Sequence, residues 1–148
     1  MINLQFDGYW ENINDLPTYT GIYTVCAVSG YKCVARSRIL YIGKTDNIKD
    51  RHYKGHEHLY DFLDHLHIGE RLAYTAAPVD GRELSKVENA LVYMQQPPIN
   101  DGLTESYNHE ADEFKINGVG SDDFKHDHFG FSTDNDCDSF YPIEDEEL

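Results

Sequence analysis

GIYTVCAVSGYKCVARSRILYIGKT, residues 21–45, holds two short apolar segments, each with a glycine and a tyrosine, on either side of a polar turn. Residues 21–28 are rich in β-branched and aromatic side chains and predict a strand. Ser29-Gly30 is a turn signal, and residues 38–43, RILYIG, predict the returning strand. In such a hairpin Tyr23 and Tyr41 can share one face and aim their hydroxyls at a common point. Gly21 and Gly43 leave room there for a close backbone or ligand approach. Packed strand tyrosines would look the same, so the hairpin alone does not distinguish chemistry from packing.

Outward from the hairpin, DNIKDRHY predicts a short helix with Asp46 as its N-cap. Residues 57–67 place Leu59, Phe62, Leu63 and Leu66 at helical spacing, one apolar face. Residues 71–79 predict a third strand, and residues 82–96 a strong helix with Leu84, Val87, Leu91 and Met94 in one stripe, stopped by Pro97-Pro98. Residues 1–19 read as a lead-in whose Trp10, Ile13 and Leu16 cover the core. The expected fold is α+β: a small three-stranded antiparallel sheet flanked by helices in a domain over residues 1–101. An acidic, largely irregular extension follows over residues 102–148, partly docked through its aromatic residues, with a flexible EDEEL end.

The chain of 148 residues carries a formal charge of −15, unevenly placed. Residues 1–100 hold 12 acids against 10 Lys/Arg, and residues 101–148 hold 15 acids against 2 lysines. The acidity therefore belongs to the last third, and it opposes non-specific adhesion to nucleic acid. MINLQFDGYW has neither the basic nor the apolar stretch of a secretory leader, and no apolar run is long enough to span a bilayer. Three sparse cysteines fit reduced thiols, so a cytoplasmic location with no membrane partner is expected.

Several downstream residues carry chemistry. Arg51 can fork onto phosphate oxygens, and Lys44 adds a second positive charge. His56 can reach the same cleft, with Tyr53 as its rival. His52, His56 and His58 lack the spacing and cysteine partners of a structural zinc site. Glu88 borders the apolar stripe of its helix and faces the sheet edge. It is the type of oxygen ligand a hard divalent cation takes. Asn100, after the proline stop, can tie its loop to the helix or support Glu88.

Gly21-Ile22-Tyr23, Tyr41-Ile42-Gly43-Lys44, Asn47, Arg51, Arg82, Glu88, Pro97/Pro98 and Asn100, in that order, resemble the GIY-YIG nuclease superfamily over residues 10–101. Two features depart from that pattern. The segment between the motifs is longer than in compact members, and the position four after Arg51 is Gly55, with His56 one later. The resemblance implies a metal-dependent endonuclease leaving 5′-phosphate and 3′-hydroxyl ends on DNA; RNA or branched DNA suits the same residues. It implies Glu88 holding Mg2+ or Mn2+, Tyr23 as general base, Tyr41 ordering water or phosphate, Arg51 neutralising the phosphate, and Asn100, Gly21 and Gly43 in support. A free tyrosine titrates near pH ~10, so a base at Tyr23 needs positive charge beside it. An inhibitor or interaction protein on the same scaffold, inactive or autoinhibited, is the competing expectation. Its acidic surface would mimic DNA or bind a basic protein partner.

Overall fold

The computed structural model describes residues 1–134 and 137–144. Its strands are β1 (Ile2–Trp10), β2 (Gly21–Ser29), β3 (Arg36–Thr45), β4 (Arg71–Pro78), β5 (Asp112–Gly118), β6 (His128–Asp134) and β7 (Cys137–Pro142). Its helices are α1 (Ile48–Tyr53), α2 (Leu59–Asp64) and α3 (Leu84–Gln95). The strands form one sheet of order β3-β2-β4-β1-β5-β6-β7, antiparallel throughout except for the parallel β1–β5 pair.

This overturns the expected small three-stranded sheet with an irregular extension. The lead-in is itself a strand. Leu4 and Phe6 are buried while Asn3, Gln5 and Asp7 are exposed, the period of two that a sheet with one covered face imposes. β1 then pairs with β4 on one side and with β5 on the other, Leu4 opposite Ile116. The extension supplies β5, β6 and β7, and Phe114, Phe129 and Phe131 are buried in the same core as Leu4 and Phe6. The aromatic residues after position 110 therefore build sheet rather than cover it. The expected flexible EDEEL end falls mostly on residues 145–148, outside the described residues.

Two cores flank the sheet. One joins Ile22, Cys26 and Ile42 to Val87, Leu91 and Met94 of α3 and to the phenylalanines of β5 and β6. The other gathers Tyr23, Val25, Leu40, Ile48, Phe62, Tyr74 and Ile99 under α1 and α2. β2 is buried on both faces along GIYTVCAV, which is why that segment is continuously apolar. α3 ends where Gln96 turns left-handed, one residue before Pro97.

Two local expectations change. The N-cap of α1 is Asn47, whose side chain accepts the Asp50 N–H at 3.0 Å, and not Asp46. α2 is shorter than its sequence pattern and buries only Phe62, while Leu59 and Leu63 stay exposed. Among the described residues no helix is long and apolar enough to cross a membrane.

Candidate functional site

β3 is an edge strand, so every second residue turns its backbone N–H and C=O away from β2 and needs another partner. The chain supplies one at each step. Leu40 O accepts the Ile99 N–H at 3.1 Å. Ile42 donates to Asn100 Oδ1 at 3.0 Å and accepts from Asn100 Nδ2 at 2.9 Å. The Lys44 N–H faces the Glu88 carboxylate and favours its ionised form. The proline-stopped loop and α3 thus seal the edge, and that sealing puts Glu88 at the end of the sheet where Tyr23 and Tyr41 lie. Asn100 therefore ties its loop to β3 rather than to α3 or Glu88, its amide mimicking one more strand residue.

Tyr23 pairs across the strands with Gly43, and Tyr41 with Val25, so both tyrosines lie on one face. A side chain at Gly43 would overlap the Tyr23 ring, because that ring lies flat over the glycine. Gly21 is needed for another reason, as a side chain there would overlap the Ala77 carbonyl of β4. The space expected above both glycines for a ligand is therefore filled, by Tyr23 and by β4. The two phenol rings stack with centroids 6.2 Å apart.

The turns after α1 bring histidines onto these rings. His56 Nε2 lies 2.8 Å from the Tyr23 hydroxyl, and its Nδ1 accepts the His58 N–H at 3.1 Å. Burial, then Arg51, pushes the His56 imidazole down to about 4, so it is neutral near pH 7. A neutral ring that accepts at Nδ1 carries its proton on Nε2. His56 therefore donates to Tyr23, whose own proton is left to point elsewhere. His56 lies against both phenols, whereas Tyr53 is exposed and, among the described residues, makes no ring contact with them. His52 stands edge-on to Tyr23 at 4.6 Å, pushed down to about 3 by burial, then by His56 and Arg51. Its Nε2 is buried without a hydrogen-bond partner.

Charge surrounds the phenols. The Arg51 guanidinium is paired with the Glu57 carboxylate, whose pKa that contact holds down at about 2. Tyr23 is raised well above the ordinary tyrosine value. Burial is the main cause, Tyr41, Glu57 and Glu88 add to it, and Arg51 opposes. Tyr41 is raised by burial and by Glu57 and Glu88, again against Arg51. The guanidinium and both carboxylates thus act on both phenols. Lys44 sends its Nζ 2.7 Å to Ser85 Oγ on α3, still close enough for its charge to favour ionised Glu88. Arg82, by contrast, is exposed and paired with Asp80.

A hard divalent cation fits this donor set in one way. Among the described residues no three His, Cys, Asp or Glu side chains gather as a metal cluster. Glu88 offers one half-buried carboxylate whose ionisation burial opposes and Lys44 only partly restores. Mg2+ or Mn2+ held by one protein oxygen and otherwise by water suits that single ligand.

Two neighbours of the phenols are not assigned to the site from the sequence, where His52 is weighed only as a zinc ligand. His52 follows Ile48 by four residues, and both are buried on the inner side of α1, so helical periodicity marks it. Glu57 lies in a turn six residues beyond Arg51 and carries no periodic signal. No family model, curated protein or solved structure matches the chain.

Proposed function

We propose that the chain is a metal-dependent endonuclease that hydrolyses DNA phosphodiester bonds by the chemistry of the GIY-YIG nucleases, whose motif residues it resembles. One observation carries this: Tyr23 of β2 and Tyr41 of β3 stack with centroids 6.2 Å apart, and Arg51 of α1 and Glu88 of α3 lie close enough for their charges to act on both phenols. Packing alone has no need of a guanidinium, two carboxylates and two histidines around one pair of phenols.

In this proposal Arg51 exchanges Glu57 for a phosphate oxygen and offsets the charge that builds on phosphorus during attack. Tyr23 can act only as the phenolate: it first loses its own proton to solvent as the phosphate binds, then takes the proton of the attacking water, while Tyr41 holds the water or the phosphate in line. His56, donating to the Tyr23 oxygen, favours phenolate over phenol, as does Arg51. Neutralising Glu57 and Glu88 removes two of the charges that hold the phenol proton in place. Glu88 would hold the cation, which would supply Lewis-acid stabilisation of the charge developing at the phosphate. Products then carry 5′-phosphate and 3′-hydroxyl ends.

The test is cleavage of supercoiled plasmid in low salt with Mg2+ or Mn2+, beside Glu88→Ala. Nicked and linear products from wild type, absent from the variant, are expected. Uncut plasmid with either metal and with branched DNA and RNA substrates contradicts the proposal.

A further inference from the structure

The turn joining β2 to β3 is the reverse of the chain's overall charge. Residues 29–38, SGYKCVARSR, hold three of the 12 Lys/Arg and none of the 27 acids. Arg38 is committed to Glu70 at 2.8 Å. Lys32 and Arg36 have no acidic partner among the described residues, and Arg36 is exposed. Tyr31 is 87% exposed, with the Lys32 ammonium 5.4 Å from its ring centre.

The loop is held and not left loose. The Ala35 N–H donates to Ser29 O at 2.8 Å, and Arg71 Nη1 donates to Gly30 O at 3.0 Å. Gly30 at φ +133° and Lys32 at φ +64° bracket Tyr31, whose ring stands out into solvent. An open cleft of about 710 Å³ lies beside it, lined by Tyr9, Val34, Arg71 and Glu11, whose carboxylate is paired with Arg71. A fixed, exposed aromatic ring flanked by unpaired cations is the composition that stacks a nucleobase and follows its phosphates.

We propose that this loop is a docking handle for DNA with an unpaired stretch: Tyr31 stacks on one unpaired base while Lys32 and Arg36 hold neighbouring phosphates. Along β2, Ser29 lies six residues beyond Tyr23, roughly 20 Å at strand rise. Resting on the nuclease proposal, that separation puts the handle about six base pairs from the cut phosphate. Its preferred substrate is then a duplex with a single-stranded tail or branch about that far from the cut.

The test is fluorescence anisotropy with the full chain in EDTA, against a blunt duplex and the same duplex bearing a short single-stranded tail. Wild type is expected to bind the tailed probe more tightly. Lys32→Glu/Arg36→Glu weakens binding to both probes about tenfold or more and flattens the salt dependence. Tyr31→Ala erases the preference for the tail, about a tenfold loss on that probe. Lys115→Glu/Lys125→Glu, the same charge change elsewhere, stays within about twofold of wild type. Equal affinities for wild type and handle variants, no binding by wild type, or equal loss in the control pair overturns the handle. Cleavage is read separately. A wild type that cuts while its handle variants bind normally refutes the handle alone, and one that binds through the handle but never cuts refutes the nuclease alone.

Discussion

The sheet uses the same packing device twice, once near each edge. Tyr23 of β2 lies over Gly43 of β3, and Tyr141 of β7 lies over Gly130 of β6, each pair directly opposite across antiparallel strands. The glycine leaves a gap in the sheet surface and the tyrosine closes it. The surroundings differ. Around Tyr23 stand His52, His56, Tyr41, Arg51 and Glu88, and the ring is 1% exposed. The strands of Tyr141 belong to a cluster of phenylalanines, Phe114, Phe129, Phe131 and Phe140, on which Tyr107 stacks. A tyrosine over a glycine is therefore a structural unit. In the proposed nuclease it becomes a chemical one, because α1, α3 and the loop after α1 bring titratable groups to the phenol at β2.

Removing each phenol oxygen breaks this comparison most sharply. If Tyr23 is the base, Tyr23→Phe lowers cleavage by about 10²–10⁴-fold with the fold retained. Arg51→Ala follows at about 10²–10³-fold, read as initial nicking rate, because the phosphate loses its charge partner. Filling the glycines is the next step down. Gly43→Ala costs about 1–3 kcal/mol in urea denaturation, because the Tyr23 ring is packed on every side and cannot swing out. Gly130→Ala costs less, because Tyr141 is 37% exposed and has solvent to move into.

Acidity probes the Tyr23 end alone between pH 7 and 5. His52 and His56 sit at about 3 and about 4 when folded, below an unfolded value near ~6.5. The unfolded chain thus binds protons first. Their contribution is intact above pH ~6.5 and declines as pH falls toward their folded values. Each contributes a slope of up to about 1.4 kcal/mol per pH unit. His56→Gln should flatten the fall in denaturation midpoint between pH 7 and 5; an unchanged slope would show that His56 is not buried neutral. The smallest effect belongs to Glu57→Gln. It frees Arg51 from its partner and should tighten DNA binding about two- to fivefold by anisotropy, as expected for a mostly exposed ion pair.

Much of the Tyr23 end was legible because its signals are local. GIYTVCAV and RILYIG are strong strand formers, α3 has a clean apolar stripe, and the candidate residues lie in recognisable order. The rest of the sheet was missed although part of its signal was present: Ile2, Leu4 and Phe6 alternate with Asn3, Gln5 and Asp7, and Phe129 and Phe131 alternate with Gly130 and Ser132. Their pairing was illegible for a different reason. β1 reaches its partner β5 across more than a hundred residues, and no local pattern encodes which distant strand fills the gap beside β4. Glu57 was invisible for a related reason, because a turn carries no period and only the folded loop brings its carboxylate to Arg51.

The most direct measurement is a plasmid-nicking assay in Mg2+ comparing wild type, Tyr23→Phe and Tyr141→Phe, with melting curves to confirm that all three fold. Cleavage by wild type and Tyr141→Phe at similar rates, with at least about a hundredfold loss in Tyr23→Phe, is the predicted result. Equal cleavage by all three, or none by any, would contradict the assignment of chemistry to the Tyr23 end of the sheet.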